Sequence, residues 1–249
     1  MKYRDVLKLE RDKKDIYLGY NKDGHLKVNL DDYPSIIITG ETGTGKSILL
    51  DQILCELISN HTSLELGLMT VDTSGVELNY YKNSNYLLLS AENDMNKIKV
   101  LISKVIKEIE RRKELFNELG VTTITEYNKL SPKKLPSIVV AIDDDRRLLN
   151  EPDMDMQMTS IITNLNRIGM YLILVTNDVY NDFFMRDNNT YGSLLISFDL
   201  AESEAAKYVN IEEAESIGIG LFKAKKKYTS AIYNSYGFDD HIITEIVSR

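Results

Sequence analysis

Cysteine, histidine and tryptophan are scarce or missing in this sequence. It has one cysteine, three histidines and no tryptophan among 249 residues. The single cysteine, Cys55, excludes an intrachain disulfide and any zinc or iron–sulfur site built from cysteines, and it is typical of a protein in a reducing cytoplasm. The histidines are far apart in the sequence, which argues against a histidine-based metal or nucleophile site. We therefore expect a cytoplasmic protein whose chemistry depends on other residue types.

Long hydrophobic runs are missing as well. The uninterrupted apolar runs Ile36–Ile38 and Ile138–Ile142 contain only a few residues, whereas a helix needs about 20 to cross a bilayer. No apolar segment of the kind found in secretory signals follows Met1. The sequence therefore predicts neither a transmembrane segment nor a cleaved signal.

Positive charge is in the minority. The chain has 30 Lys and Arg residues against 38 Asp and Glu residues, which gives a net charge of -8. This balance argues against a nucleic-acid binder that works through one broad basic patch, although cations on loops remain compatible with DNA binding. With 43% hydrophobic and 27% charged residues, the composition is that of an ordinary globular protein with a sizeable core.

Short apolar strands alternate with helices along most of the chain. Ser35–Thr39, Ser137–Ile142 and Tyr171–Thr176 are rich in β-branched and aliphatic residues. Strands that are apolar on both faces are typical of a parallel sheet covered by helices on each side. Residues Asn93–Leu119 carry apolar side chains at helical spacing, and Gly120 is a natural helix end. The pattern predicts an α/β fold with a mainly parallel sheet sandwiched by helices.

The two ends of the chain carry further extended segments. Asp15–Gly19 and His25–Leu30 flank an Asp-Gly dipeptide, which favours a β-hairpin. We expect residues 1–30 to form a small N-terminal β-hairpin extension and residues 31–249 to form the main domain. A late strand group is expected at Leu194–Leu200, Gly220–Phe222 and Thr229–Tyr233.

One glycine-rich motif points to chemistry. It matches G-x-x-x-x-G-K-[ST] at every fixed position and lies directly between a predicted strand and a predicted helix. The backbone N–H groups of such a loop and the positive end of the helix bind phosphate. We expect Lys46 to reach the β and γ phosphates of ATP and the Ser47 hydroxyl to bind Mg²⁺. The predicted nucleotide-binding residues are Gly40, Glu41, Thr42, Gly43, Thr44, Gly45, Lys46, Ser47 and Ile48.

Polar residues follow two other predicted strands. Asp143 and Asp144 come directly after Ile138–Ile142, and ligands of open α/β sheets lie at the carboxyl ends of the strands. Asp143 is therefore predicted to hold Mg²⁺ through water, and Asp144 to orient or deprotonate the attacking water. A solvated acidic turn is the alternative. Thr176 or Asn177 either senses the γ phosphate or only caps its strand. The predicted catalytic residues are Lys46, Asp143, Asp144 and Asn177, and the predicted metal ligands are Ser47 and Asp143.

From about Tyr17 to Val247 the sequence resembles the motor domain of the FtsK/SpoIIIE family of DNA-translocating ATPases. Besides the phosphate-binding loop, the matching stretches are Val71–Leu78, Glu108–Phe116, Glu126–Asn128, Gly169–Thr176, Gly218–Phe222 and Tyr236–Val247. The resemblance implies a RecA-like P-loop NTPase core over residues 31–249. It also implies a homo-oligomer, a hexameric ring that encircles double-stranded DNA and hydrolyses ATP at subunit interfaces.

Some positions depart from the family pattern. Asp144 stands where the family usually has Glu, and a displacement of about 1 Å in an active site can cost about a hundredfold in rate. Asn177 stands where the family tends to have Gln, and Asn166 where it has Arg. These departures predict that hydrolysis is weakened.

The arginine that a neighbouring subunit is expected to contribute is also missing. The aligned positions hold Leu195 and Asp199, and such a cation can be worth about 10³ or more in phosphoryl transfer. The candidate substitutes are Arg146, Arg147 and Arg186.

Three functions remain open at this point. The first is an ATP-dependent DNA translocase or DNA-coupling ATPase acting on double-stranded DNA, with a mobile-element protein as a possible partner. The second is an ATPase that moves protein substrates, as in type VII secretion. The third is a nucleotide-binding structural or regulatory subunit that barely hydrolyses ATP. The resemblance favours the first, and the departures motivate the third.

Overall fold

The α/β fold expected from the sequence is confirmed in the computed structural model of the chain. The structure describes residues 1–165, 167–177, 192–200, 220–226 and 229–248. Within these ranges, strands and helices build one sheet of 10 strands with helices on both faces. The strands are β1 (Asp15–Asn21), β2 (Gly24–Asn29), β3 (Ser35–Thr39), β4 (Leu66–Asp72), β5 (Leu87–Glu92), β6 (Ser137–Asp144), β7 (Met170–Thr176), β8 (Leu194–Ser197), β9 (Leu221–Lys226) and β10 (Thr229–Asn234).

The helices follow the same alternation. They are α1 (Tyr3–Val6), α2 (Lys46–Asn60), α3 (Met95–Leu119), α4 (Ile124–Leu130), α5 (Met154–Asn164) and α6 (His241–Val247), with a 3-10 turn at Asn79–Tyr81. Across the described ranges, none of them is both long enough and apolar enough to span a bilayer.

The strand order of the sheet is β2-β1-β10-β9-β8-β3-β7-β6-β4-β5. Strands β8, β3, β7, β6, β4 and β5 run parallel to one another. Their carboxyl ends therefore meet at one edge, where Asp72 pairs with Asp143 and Asp144 pairs with Thr176. Strands β9, β10, β1 and β2 are antiparallel, so the sheet is mixed, with its parallel block at the phosphate-binding loop.

Each face of the sheet has its own apolar core. One core lies under α3, α4 and α5, and the other lies under α1, α2 and α6. The predicted apolar face of α3 is confirmed, since Ile98, Ile102, Val105, Ile109 and Phe116 are buried and Met95 is partly buried. The helix begins two residues later than predicted because the Asp94 side chain accepts hydrogen bonds from the first backbone N–H groups.

The predicted N-terminal hairpin is confirmed by the pairing of β1 with β2 across the turn at Lys22 and Asp23. Its strand β1 also pairs with β10, so the hairpin continues the main sheet. Gly19 allows this close approach, because a Cβ there would lie 2.7 Å from the carbonyl oxygen of Asn234. The division of the chain at residue 30 stays a prediction. Asn166, Arg186 and Gly218 lie outside the described residues.

Candidate nucleotide-binding site

A cavity of about 400 Å³ lies at the carboxyl edge of the parallel strands. It contains residues of the glycine-rich loop together with the acidic end of β6 and the residue that follows β7. This placement is the one expected for a ligand of an open α/β sheet. The lining residues are Thr42, Gly43, Gly45, Lys46, Ser47, Ile48, Ser74, Glu77, Asp143, Asp144, Asp145 and Asn177.

The glycines of the loop have conformations that other residues rarely adopt. Gly40 has a φ of 143°, and a Cβ there would lie 2.7 Å from Cβ of Phe198. Gly45 has a φ of 115° and is the N-cap of α2. In α2, all of which is described, no side chain caps the first turn and no acidic residue occurs in it. The positive end of the helix therefore keeps its attraction for an anion.

Lys46 lies buried at the base of the loop. Its Nζ donates a 2.8 Å hydrogen bond to the backbone oxygen of Glu41, which also accepts from Thr44 Oγ1. Burial lowers the pKa of Lys46, and the negative charge of Asp143 partly offsets this effect. A nearby phosphate would favour the charged ammonium further. The position of Lys46 is therefore the one that a phosphate-binding lysine requires.

Ser47 and Asp143 meet in the cavity. The Ser47 hydroxyl donates a 2.9 Å hydrogen bond to Asp143 Oδ2. Burial raises the pKa of Asp143 to about 7, and the negative charges of Glu77 and Asp72 act in the same direction, while the Ser47 hydrogen bond opposes them. A cation beside Asp143 would relieve this cost of burying its charge.

The donor set of this pair fits Mg²⁺. A hydroxyl and a carboxylate are hard oxygen ligands, and Mg²⁺ usually takes one or two carboxylates, several waters and the phosphates of its substrate. Among the described residues, no cluster of three or more His, Cys, Asp or Glu side chains is arranged to hold a metal ion. A bound nucleotide and water would thus complete the coordination that Ser47 and Asp143 begin.

Asp144 lies in the cavity wall, but its carboxylate accepts hydrogen bonds from the backbone of the turn that follows it. It is 2% exposed and accepts hydrogen bonds from the backbone N–H groups of Arg147 (3.0 Å), Leu148 (2.8 Å) and Leu149 (3.4 Å). Thr73 Oγ1 donates to it as well, at 3.4 Å. Burial raises the pKa of Asp144, and these backbone hydrogen bonds oppose the rise. This geometry makes Asp144 the cap of the turn after β6, and its predicted role toward water stays a prediction.

Asn177 lies beside the loop, directly after β7. Its Nδ2 donates a 3.4 Å hydrogen bond to Thr42 Oγ1. Its Oδ1 is buried and has no hydrogen-bond partner in the part of the chain that the structure describes. A buried acceptor of this kind usually binds a water or a ligand. The Oδ1 atom therefore suits a contact with the water near a γ phosphate, because a phosphate oxygen offers it no donor.

Glu77 also lines the cavity, and sequence analysis did not single it out. It lies in the loop after β4, which is shaped by Asp72: Oδ1 accepts from the Ser74 N–H and hydroxyl and from the Gly75 N–H, and Oδ2 accepts from the Leu78 N–H. The stretch Val71–Leu78 was noticed only for its family resemblance. The available signal was an acidic residue a few positions after a buried parallel strand.

The two positions aligned with the interface arginine, and two of the arginines considered as substitutes, lie in different parts of the structure. Leu195 is buried in β8 as part of the core, and the backbone oxygen of Asp199 accepts a 2.8 Å hydrogen bond from the Glu41 N–H. Asp199 therefore supports the loop, and Leu195 belongs to the core. Arg146 and Arg147 lie in the turn after β6 and line a neighbouring cavity of about 380 Å³. Arg147 forms a 3.7 Å ion pair with Asp145.

Sequence comparison finds named relatives of this chain. DNA translocase FtsK of Oceanobacillus iheyensis is 31% identical over 172 residues, which cover 64% of this chain and 22% of that protein. DNA translocase SpoIIIE of Bacillus subtilis is 30% identical over 174 residues, which cover 65% of this chain and 22% of that protein. The matched segment thus corresponds to about a fifth of each relative's length.

Solved structures with the same fold include two ATPase proteins. The pCW3 conjugation coupling protein TcpA, in its monomer form with ATPγS, superposes with a TM-score of 0.80 at 23% identity and covers 96% of this chain and 71% of that chain. EssC (ATPases 2 and 3) of Geobacillus thermodenitrificans has a TM-score of 0.78 at 23% identity, covering 94% and 47%. These similarities confirm the P-loop ATPase fold. Because the sequence model of FtsK/SpoIIIE matches residues 7–190, which is more than half of the chain, the chain belongs to the FtsK/SpoIIIE family.

Proposed function

We propose that this chain is a cytoplasmic ATP-dependent DNA translocase or DNA-coupling ATPase that acts on double-stranded DNA. The observation that carries the proposal is the convergence of Lys46, Ser47 and Asp143 in one cavity at the end of the glycine-rich loop. That arrangement suits Mg²⁺-ATP. The relatives named DNA translocases supply the substrate class.

Each group of site residues would have its own role in phosphoryl transfer. The loop and the first turn of α2 would hold the phosphates, and Lys46 would place its charge between the β and γ groups. Ser47 and Asp143 would hold Mg²⁺, which neutralises charge on the phosphates when it is bound. The buried Oδ1 of Asn177 would accept a hydrogen bond from a water near the γ phosphate.

A neighbouring subunit would complete the site. Ile48 lines the cavity and is 47% exposed, although it follows the loop directly. An exposed aliphatic residue beside a nucleotide site is suited to a subunit interface, where burial would remove it from water. A ring of six subunits, as the family resemblance implies, would place one such interface at every nucleotide.

Steady-state phosphate release tests this function. The full chain is assayed with ATP and Mg²⁺ at several protein concentrations, with and without long double-stranded DNA, beside Lys46→Ala. We expect turnover that rises with DNA and with protein concentration and that is lost in the variant. Wild-type turnover equal to that of Lys46→Ala would contradict the proposal.

One observation favours a second candidate, the nucleotide-binding regulatory subunit. The Asp144 carboxylate is committed to backbone N–H groups, so it is poorly placed to activate water. If the chain is such a subunit, a fluorescent ATP analogue binds while phosphate release stays at background with DNA and at every protein concentration. Binding of helical peptides without affinity for DNA would instead indicate an ATPase for protein substrates.

A further inference from the structure

The attacking water of an ATPase needs a carboxylate or amide group to orient it, and four carboxylates from the described residues line the cavity. We propose that Glu77, and not Asp144, is the carboxylate that orients the attacking water and accepts its proton. The proposal rests on the ATPase function proposed above. The proposal adds a catalytic residue on the loop after β4, outside the glycine-rich loop and the acidic end of β6.

Three of the four carboxylates are already engaged. Asp143 accepts from Ser47 and is suited to Mg²⁺. Asp144 accepts from three backbone N–H groups and from a threonine hydroxyl. Asp145 forms an ion pair with Arg147. Their existing partners therefore compete with the reacting water for these carboxylates, most strongly at Asp144.

Glu77 differs from these three carboxylates in its contacts. Its side chain is exposed and makes no hydrogen bond or ion pair with any residue in the described ranges. A glutamate side chain is one methylene longer than that of an aspartate, and Glu77 lines the cavity. Among the described carboxylates of the cavity, Glu77 is therefore the one without a hydrogen-bond or ion-pair partner in the described ranges.

The loop that carries Glu77 is held in place. Asp72 pairs with Asp143 across the sheet, so the loop starts beside the predicted metal ligand. The Asp72 carboxylate accepts hydrogen bonds from Ser74, Gly75 and Leu78, on both sides of Glu77. Farther along, the Tyr81 hydroxyl donates a 2.9 Å hydrogen bond to Asp51 Oδ1 on α2. This anchoring fixes the backbone at Glu77 relative to the loop and to β6, as a catalytic group requires.

The negative charge of Glu77 acts on two other residues of the cavity. Its negative charge helps to raise the pKa of Asp143, and it counteracts the lowering of the pKa of Lys46 by burial. This agrees with the lining of the cavity by Glu77 and Ser74.

In the proposed reaction step, the γ phosphoryl group is transferred to water. The water oxygen forms a bond to the γ phosphorus, and the bond from that phosphorus to the bridging oxygen breaks, with its electron pair remaining on ADP. One proton of the water moves to the Glu77 carboxylate and passes to solvent when phosphate leaves. No other reactant is required. General-base assistance of this kind contributes about 10²–10⁴-fold to rate.

The test compares Glu77→Gln with wild type and with Glu118→Gln, which makes the same change at an exposed position near the end of α3. We expect Glu77→Gln to lower kcat at least about 100-fold, while Glu118→Gln keeps wild-type turnover. Affinity for ATPγS should stay within a factor of about three, and affinity for the ADP–aluminium fluoride complex should fall, because only the second resembles the transition state. Glu77→Asp, which keeps the carboxylate, should retain part of the turnover.

The outcomes separate this inference from the proposed function. Wild-type turnover together with Glu77→Gln turnover within about threefold of it would overturn the assignment and leave the ATPase function intact. Equal loss of affinity for ATPγS and for ADP–aluminium fluoride would show that Glu77 only supports the site, and would also overturn it. Absence of turnover in the wild type, with and without DNA, would overturn the proposed function and this inference together.

Discussion

The Ser47 hydroxyl donates a 2.9 Å hydrogen bond to Asp143 Oδ2, although 96 residues separate the two along the chain. The contact joins the first turn of α2 to the carboxyl end of β6. It places a hydroxyl and a carboxylate at the base of the glycine-rich loop, within the cavity that contains Lys46. The glycine-rich motif and the acidic motif of the sequence thus form one site suited to Mg²⁺-ATP.

Removal of the Ser47 hydroxyl is expected to weaken the metal dependence of nucleotide binding. Ser47→Ala removes one predicted ligand and leaves Asp143 without its hydrogen-bond donor. We expect the gain in ATP affinity on adding Mg²⁺ to fall by about tenfold or more, whereas binding in EDTA should change little. Titration of a fluorescent ATP analogue measures both. Thr163→Ala, which removes an exposed hydroxyl on α5, is the control, and an unchanged Mg²⁺ effect in Ser47→Ala would contradict the assignment.

Asp144 is expected to matter for stability, whatever its role in catalysis. Asp144→Ala leaves three backbone N–H groups of the turn 147–149 without their acceptor. We expect the free energy of unfolding to fall by about 2–4 kcal/mol, because each unsatisfied buried group costs about 1–3 kcal/mol. Denaturant titration measures this value. The exposed neighbour serves as control, with Asp145→Ala expected within about 0.5 kcal/mol of wild type, and equal stability of the two variants would refute the capping role.

Asp51 should make the protein less stable as pH rises. Burial in α2 raises its pKa from 3.8 to about 7, and the charges of Glu77, Asp143 and Asp240 act in the same direction. The unfolded state loses this proton near pH 3.8 and the folded state near pH 7, so stability falls between these values and is constant above them. The full loss corresponds to about 4 kcal/mol.

The matched variant for this effect is Asp51→Asn, which still accepts the hydrogen bond from Tyr81. Urea unfolding of both proteins at pH 5 and pH 8 gives the comparison. We expect the variant to gain stability relative to wild type between the two pH values, and a constant difference between them would show that Asp51 keeps an ordinary pKa.

Arg112 and Arg111 are adjacent on α3 and pair with the same glutamate, but they should differ in their effect on stability. The Arg112 guanidinium is fully buried and donates to the backbone oxygens of Ile168, Gly169 and Pro136, at the starts of β7 and β6. We expect Arg112→Leu to cost about 3–5 kcal/mol, since it leaves the buried carbonyls of Ile168 and Pro136 without this donor and removes the buried partner of Glu108. Arg111→Leu removes a partly exposed ion pair and should cost less than about 1 kcal/mol. Similar costs in thermal unfolding would contradict this distinction.

Sequence reasoning captured the parts of the fold and site that local patterns determine. The loop could be predicted because its glycines, Lys46 and Ser47 occur at fixed spacing between a strand and a helix. Asp143 could be predicted because the carboxyl ends of parallel strands share one edge. The apolar face of α3 could be read from helical spacing, and its start was displaced only by the Asp94 cap.

Other features depend on contacts between distant residues. The pairing of β1 with β10 joins residues more than 200 positions apart, Tyr20 and Asn234, and no local pattern reports it. The capping role of Asp144 depends on how the following turn folds back on its carboxylate. Glu77 reaches the cavity only because Asp72 shapes the loop after β4, which a sequence pattern of strands and helices does not reveal.

Displacement of a triplex-forming oligonucleotide from long double-stranded DNA reports movement along DNA and therefore tests the proposed translocase function. The full chain is incubated with the labelled triplex and Mg²⁺-ATP, beside Lys46→Ala and beside wild type with ATPγS. We expect oligonucleotide release by wild type with ATP, and none by the variant or with ATPγS. Hydrolysis of ATP on this DNA without any release of the oligonucleotide, at every protein concentration, would contradict it.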